Sequence, residues 1–429
     1  MKRTRRNLGL MGATVALGLG VGIAGIGLGA AAPAGAAEQA KIYTLMPNTS
    51  LSGVIDPNMP DRSAIKKAWP KKAADPKQLK VGWSEITMGG PWFVELAKGA
   101  KQTSAKYGFA TDMQVADGDL QRQCSQIDNF VTRKMDVIVV DPTDTIGVSK
   151  CINRAVDAGI PVVTIGTVPE SSARILTTIS PNPYENGFGA GEYIAKSAGK
   201  DTPITAALII GVVGNSTSES RLNGMVSGIV FERSKELGLS SNREEAMLRG
   251  FNLFQNAKKT GKFDDPQLKF KVVALAEGKW TEEGGLAAAE DILSAHSGTL
   301  NYIIADNDSM GLGAMRAVRG VGKQDQIKIA ASADGLRVAL DQIKKGNLLV
   351  TGMFSGEQTG VGTIEFLHQI FYGGLDANNL PMGSYFPAGT ITRSNVDQMI
   401  DPNKDNKFYK YSIPPVKTIP EIKAQLGAK

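Results

Sequence analysis

Residues 80–108 read KVGWSEITMGGPWFVELAKGAKQTSAKYG. Lys80–Ile86 is a short, apolar-leaning run of strand character, and Thr87-Met88-Gly89-Gly90-Pro91 breaks it. From Trp92 the period changes. Phe93, Leu96, Ala97, Ala100 and Ala105 fall on one helical face, and Gly108 stands where a C-cap belongs. The stretch is a strand, a Gly-Gly-Pro turn and a helix. In open α/β sheets, ligands bind beyond the carboxyl ends of strands, in turns of this kind. Trp92 and Phe93 stand at that point, either as a ligand wall or as the start of a helix packing on its sheet.

Outward from this unit the same rhythm recurs. Strands near 111–116, 137–140, 162–165 and 175–179 alternate with helices near 92–107, 120–134 and 146–158. Asp141-Pro142-Thr143-Asp144 supplies turn and cap residues after one strand, and Gly159-Ile160-Pro161 closes a helix before the next. After a helix over 186–197, strands near 204–210, 270–275, 302–305, 327–331 and 349–354 are each followed by a helical segment. Two sets of about five βα units predict two similar α/β lobes, with parallel sheets covered on both faces. Residues 240–262 interrupt the second set as an inserted surface element, and 381–392 reads as a late strand-like return.

The chain has 429 residues, 42% of them apolar and 21% charged, an ordinary globular composition long enough for two lobes. Residues 1–37 join a basic start (Lys2, Arg3, Arg5, Arg6), an apolar stretch over Leu8–Ala32 and the small residues Ala34-Gly35-Ala36. That is the pattern of an export signal, cleaved after Ala36 or Ala37, and its glycines speak against a membrane anchor. Arg5-Arg6 leaves both the general and the twin-arginine export routes open. Removing those four cations lowers the formal charge from +6 to +2, which offers no basic surface for nucleic acid or membrane. No later apolar run approaches the ~20 residues that span a bilayer.

Two cysteines remain after export, Cys124 and Cys151, on successive predicted helices. An oxidising compartment permits a disulfide between them; two buried thiols are the alternative. The two histidines, His296 and His368, are far apart and there is no Cys/His cluster, so neither a metal site nor a cofactor is expected. Catalytic signatures are missing as well. There is no Gly-x-Ser-x-Gly elbow, no histidine near a nucleophile and no Walker-type loop. Gly187-Phe188-Gly189-Ala190-Gly191 lies inside a helical pattern, where a dinucleotide fingerprint does not belong. The chain reads as a binding protein and not as an enzyme.

Polar chemistry collects just after strands, at Trp92 and Phe93, Asn182, Arg221, Trp280, Asn307 with Asp308, Asp334 and Phe354. Flat aromatic rings cover the C–H faces of a sugar or polyol, while Asn, Asp and Arg match its hydroxyls. Each residue has a plainer role open to it. Asn307 or Asp308 could cap the helix at Ser309, Asp334 could be a turn residue, Arg221 a solvated helix face and Trp280 core.

Over Leu79–Thr392 the chain resembles the periplasmic sugar-binding proteins of ABC importers, of the ribose/galactose-binding type. The carriers are Gly90-Pro91-Trp92-Phe93, Val137–Asp144 (VIVVDPTD), Ala158–Thr164 (AGIPVVT), Gly187–Ile194 (GFGAGEYI), Ala305–Arg316 (ADNDSMGLGAMR) and Ser332-Ala333-Asp334-Gly335. The resemblance implies a periplasmic binding protein type I fold. Two Rossmann-like lobes would be joined by a three-strand hinge near Asn182, Phe354 and Tyr385, with the ligand cleft between them. It divides the chain into signal 1–37, arm 38–78, N-terminal lobe 79–182 plus 356–385, C-terminal lobe 183–355 plus 386–400, and tail 401–429. It implies a periplasmic monomer that hands a sugar or polyol to a membrane permease. The same fold would equally serve a sensor subunit presenting its ligand to a chemoreceptor or histidine kinase.

The resemblance assigns ligand contacts to Trp92, Phe93, Arg221, Trp280, Asn307 and Asp334. The chain departs from the family pattern at three places. Gly90 replaces an Asn, Gly166-Thr167 replaces an Asp-Arg pair that clamps sugar hydroxyls, and Phe354 replaces a hinge Gln. These losses point away from ribose, towards another sugar, a linear polyol or a less hydroxylated solute. Glu85, at the end of the first strand, is expected to supply one replacement contact.

Overall fold

The computed structural model describes residues 42–46, 48–55, 63–70, 78–400 and 417–426. The expected export segment and its cleavage positions lie outside the described residues, as does most of the tail. The described residues form two large sheets and one small two-stranded one. The first has six strands in the order β12-β5-β4-β3-β1-β2, all parallel. Its strands are β1 (Lys80–Glu85), β2 (Ala110–Val115), β3 (Val137–Val140), β4 (Val162–Ile165), β5 (Thr177–Pro181) and β12 (Gly383–Phe386). Helices α1 (Pro91–Tyr107), α2 (Leu120–Thr132) and α3 (Val148–Asp157) connect them. Apolar residues on both faces of β3 and β4 are fully buried, Ile138, Val139, Val162 and Val163 among them, as are Val81 and Trp83 on one face of β1. That explains why these strands read as near-continuous apolar runs.

The second sheet has the order β10-β9-β6-β8-β7, from β6 (Ile204–Ile210), β7 (Phe263–Asp265), β8 (Phe270–Glu277), β9 (Tyr302–Ala305) and β10 (Lys328–Ala331). The edge strand β7, which sequence periodicity missed, pairs antiparallel with β8. The helices of this lobe are α4 (Pro183–Ala198), α5 (Ser216–Glu236), α6 (Arg243–Thr260), α7 (Glu282–His296), α8 (Asp308–Gly320) and α9 (Arg337–Lys345). A further helix, α10 (Gly356–Phe371), returns to the first lobe and lies on α1, where Gly356 and Gly360 face the backbone of Trp92 and Leu96; two short helices, Val396–Met399 and Ile419–Leu426, follow it.

The chain passes between the sheets three times. The first passage runs from β5 into α4. The second leaves β11 (Thr351–Gly352) for α10, and the third leaves β12 for β13 (Thr390–Ile391). β11 and β13 form a small antiparallel ladder at these passages. The single late return expected over 381–392 is thus two strands in two different sheets.

The Gly187–Gly191 run has a packing role. A Cβ at Gly187 or Gly191 would collide with the carbonyls of Arg221 or Met225, and one at Gly224 or Gly228 with those of Tyr184 or Phe188. Side-chain-free contacts on both helices let α4 and α5 approach backbone to backbone. This fixes the height of Arg221 above the sheet.

Two expectations need correction. Residues 240–262 are not a mere surface insertion. They carry α6, whose inner face, with Phe254 fully buried, packs on α5 because its apolar residues recur at helical spacing. The arm is not simply a lead-in to the first strand. Ile42, Leu51 and Val54 pack with Tyr184, Phe188, Met247 and Phe251 of the second lobe. Ile65 and Ala68 join the core of the first. Between them Ser50 and Thr49 bond to the buried carboxylate of Glu219, which also pairs with Lys258 of α6 at 2.6 Å. Burial disfavours that charge, but Lys258 and the two hydroxyls outweigh it and hold Glu219 below the usual carboxylate range.

Candidate functional site

The two large sheets face each other with their carboxyl edges, and a cavity of about 100 Å³ lies between them. The first lobe contributes Ile86, Gly90, Pro91, Trp92 and Phe93 from the turn before α1, Asp141 from the end of β3, and Gly166 and Thr167 from the end of β4. The second lobe contributes Asn215, Thr217 and Arg221 from α5 and its start, then Trp280, Asn307, Ser309 and Asp334 from the turns after β8, β9 and β10. Phe354 reaches it from the second passage between lobes.

Local sequence explains these positions. Pro91 opens α1, with no side-chain cap at Gly90, because proline tolerates only the first helical turn. The two rings after it therefore stand at the cleft. Trp92 and Phe93 meet edge to face at 5.1 Å, and the Trp92 ring lies 5.9 Å from that of Phe354. Trp92 Nε1 donates to the Phe354 carbonyl at 2.6 Å, tying this wall to the hinge.

The guanidinium of Arg221 is buried. It lies 4.0 Å from the Phe354 ring and 5.4 Å from that of Trp280, and Nη2 donates to Asp334 Oδ1 at 3.4 Å. Its Nε has no partner. Asn307 has a double role. Its Oδ1 caps α8 by accepting from Met310 N at 3.0 Å, while Nδ2 donates to the Trp280 carbonyl at 3.2 Å and to Asp334 Oδ2 at 3.4 Å. Asp308 is not the cap. Its carboxylate accepts from Gly335 N, Leu336 N and Thr351 Oγ1 at 2.6–2.8 Å, which holds the turn that carries Asp334. Burial pushes Asp334 up to about 7, although Arg221 pulls the other way. Asp306, behind it, is pushed up to about 7 for the same reason.

The structure thus brings seven residues singled out from sequence, Trp92, Phe93, Arg221, Trp280, Asn307, Asp334 and Phe354, around one cavity. Two others stand elsewhere. Glu85 does not line the cavity. It is fully buried under it, accepting from Trp83 Nε1 at 3.0 Å and Ile86 N at 3.1 Å, because the alternation of β1 turns it into the lobe. Asn182 is a hinge residue. Its Oδ1 caps α4 at Glu185 N, and its Nδ2 donates to the Gly53 carbonyl of the arm at 2.7 Å. Gly53 N in turn donates to the Tyr385 hydroxyl at 3.0 Å, so the arm clasps two of the three passages. Gly53 has a φ of 98°, and a Cβ there would strike Asn182 Oδ1.

Asp141 is the charged lining residue that sequence reading missed, and Asn215, Thr217 and Ser309 are polar ones. The place of Asp141 directly after a strand was the available signal, but the neighbouring Pro-Thr-Asp made it read as a turn. Asp144 is the residue that serves that turn, accepting from Ile146 N at 2.9 Å and from Gly147 N.

Gly166-Thr167 has a different use from a ligand clamp. Thr217 Oγ1 donates to the Gly166 carbonyl at 2.7 Å, Asn215 Nδ2 to Thr167 Oγ1 at 3.1 Å, and Val168 N to Ser216 Oγ at 2.8 Å. Thr145 Oγ1 donates to the Gly214 carbonyl at 3.2 Å. Four hydrogen bonds therefore latch one lobe to the other at the mouth of the cleft. On the back of the first lobe, Cys124 of α2 and Cys151 of α3 are joined sulfur to sulfur, with Cα atoms 5.3 Å apart. Among the described residues no group of three or more His, Cys, Asp or Glu forms a metal-binding cluster, and no helix is long and apolar enough to cross a membrane.

Comparison with known proteins agrees with this architecture. The chain is 26% identical over 306 residues to the ribose import binding protein of Bacillus subtilis (strain 168), covering 71% of this chain and 86% of that protein. An ABC transporter solute binding protein of Bacillus halodurans C-125, solved with myo-inositol, superposes with a TM-score of 0.59 at 23% identity, over 76% of this chain and 98% of that one. A Mycobacterium smegmatis protein in complex with β-D-fucofuranose superposes with a TM-score of 0.61 at 22% identity, over 76% and 94%. The profile of the periplasmic binding protein domain matches residues 81–374, and the chain belongs to that family.

Proposed function

We propose that this chain is the exported solute-binding protein of an ABC importer. It captures a small polar solute, a sugar or sugar alcohol, by closing two lobes over it, and delivers the solute to a membrane permease as a monomer. The observation that carries the reading is the cavity itself. Aromatic faces line one side of it and Arg221, Asn307 and Asp334 converge from the other, at the carboxyl edges of both sheets. That is the layout expected for a ligand with apolar C–H faces and a ring of hydroxyls. Trp92, Phe93, Trp280 and Phe354 would stack on it, and the three polar residues would bond it. Glu85 and Asn182 leave the set of direct contacts, and Asp141 enters it.

The Bacillus subtilis relative is a ribose import binding protein, and the Bacillus halodurans one is an ABC transporter solute binding protein. A sensor role has no counterpart among them. In this reading residues 1–37 direct export to the periplasm and are cleaved near Ala36 or Ala37, and Cys124 and Cys151 oxidise there. The lobes divide at Asn182, at Phe354 and just beyond Tyr385. Thermal-shift screening of the purified protein against sugars and polyols tests the ligand class. A solute present at 100 times its dissociation constant adds ~2.7 kcal/mol of stability. No response to any carbohydrate or polyol would remove the ligand class.

A further inference from the structure

Around the cavity acidic side chains outnumber basic ones: Arg221 lines it against Asp141 and Asp334. In the second lobe Arg221 faces Asp334 and Asp306, and its guanidinium is already engaged by Asp334 and covered by two rings. In the first lobe Asp141 lines the cavity and Glu85 lies buried against it. No cation figures among the groups acting on this pair. The titratable group that acts on Glu85 is Asp141, and the one that acts on Asp141 is Glu85. Among the described residues the other groups bonded to them are neutral. From β1 comes the Trp83 indole, and α2 sends Gln123 Nε2 to the Asp141 backbone carbonyl. Gly166 stands at the end of β4, so that a Cβ there would press on the Asp141 carboxylate. Asp141, 4% exposed, is the one charged side chain on the first lobe's wall, between the turn that carries Trp92 and Phe93 and the end of β4.

Two adjacent carboxylates in a dry site must share a proton or receive a cation. Burial holds Asp141 well above the usual carboxylate range and pushes Glu85 up to about 7. Aromatic faces attract an ammonium, and more strongly when it is desolvated. A neutral hydroxyl bonds to Asp141 but leaves the pair holding its shared proton. The geometry points to a cationic ligand: a small polyhydroxylated ring or chain bearing a protonated amine, whose ammonium sits on Asp141 beside Trp92 and Phe93 while its hydroxyls meet Arg221, Asn307 and Asp334. This inference rests on the solute-binding reading and narrows its ligand class. Binding a cation drives the carboxyl pair to its ionised form, so capture releases a proton and strengthens as pH rises towards 7.

The test is isothermal titration calorimetry of the exported chain with 2-amino-2-deoxy-D-glucose, 2-amino-2-deoxy-D-galactose and scyllo-inosamine, each beside its neutral parent. It is run at about pH 5.5 and about pH 7, where these amines stay largely protonated, and in two buffers of different ionisation enthalpy. The expected result is that at least one amine binds ~10-fold or more tighter than its parent at about pH 7, with a smaller advantage at about pH 5.5. Its binding should show buffer-dependent heat from the released proton. Which arm responds separates an amino sugar from an aminocyclitol. Asp141→Asn should abolish the amine's advantage, and the buffer-dependent heat on the unaltered protein decides the matter should that variant fold poorly. Neutral parents binding as tightly as their amines at both pH values would overturn the cationic ligand and leave the solute-binding reading intact. Binding of neither kind, in this or any wider carbohydrate screen, would overturn both.

Discussion

Thr217 Oγ1, on the helix that carries Arg221, donates to the carbonyl of Gly166 in the opposite lobe at 2.7 Å. It is one of four hydrogen bonds that join the two lobes beside the cavity. Closure in this protein is therefore held partly by the lobes themselves. Thr217→Val keeps the side-chain shape and removes the donor, a loss of ~1 kcal/mol. Ligand release should accelerate ~5-fold in stopped-flow fluorescence with little change in association. An unchanged release rate would mean that the latch does not contribute to retention.

Asp334 pairs with a buried guanidinium, so its variants differ in kind. Asp334→Ala leaves Arg221 uncompensated and should cost ~3 kcal/mol of folding stability, as breaking a buried pair does. Asp334→Asn keeps a hydrogen-bond acceptor and should retain most of that stability while weakening ligand binding ~100-fold. Urea unfolding and calorimetry on both variants check the separation. Equal stabilities would show that the pair is not structurally coupled.

Asn182 should behave as a hinge residue. Asn182→Ala removes the cap of α4, ~1 kcal/mol, and strands the buried Gly53 carbonyl, ~1–2 kcal/mol. Denaturant midpoints should fall accordingly, while the ligand dissociation constant stays within ~3-fold of the parent's. A loss of affinity much beyond that, at unchanged stability, would return Asn182 to the ligand site.

The buried acids set a pH dependence of the unliganded protein. Asp306 and Asp334 are pushed up to about 7 when folded, above their ordinary value of 3.8. Between about pH 4 and about pH 7 the native state therefore holds more protons than the unfolded chain. Stability from these groups is complete below that window and is lost as pH rises through it. The melting temperature should fall by ~3–6 °C from about pH 5 to about pH 8. Asp306→Asn should shrink the fall. A melting temperature that climbs across this range would refute the assignment.

Cys124 and Cys151 enclose a loop with a sequence separation of 27. Closing a loop of that size in the unfolded chain stabilises the fold by ~3.5 kcal/mol in the chain-entropy account. Intact mass without reductant should show no alkylatable thiol. Reductant should lower the denaturant midpoint, and Cys124→Ser with Cys151→Ser should reproduce that shift.

Much of the site was legible in the chain itself. Gly90-Pro91-Trp92-Phe93 announces a turn that presents two rings at a strand end, because proline can only begin a helix and strand ends in such sheets face the cleft. Arg221, Asn307 and Asp334 follow the same logic. Glu85 and Asn182 obey it too, yet stand elsewhere. A one-residue alternation decides whether the last side chain of a strand faces the cleft or the lobe, and sequence periodicity does not resolve that last position. Asp141 was overlooked because a strand-end carboxylate and a turn carboxylate look alike until the partner of each is seen.

The sequence by itself determined the element order, the two-lobe plan and the aromatic and polar residues at strand ends, since period, turn chemistry and caps are local properties. Only the tertiary structure decided which charges meet. The pairing of Glu85 with Asp141, the covering of Arg221 by Phe354, the latch between Thr217 and Gly166, and the arm that joins Gly53 to Asn182 and Tyr385 bring together residues distant in the chain. Their energies depend on burial and distance, and neither quantity is written in local sequence.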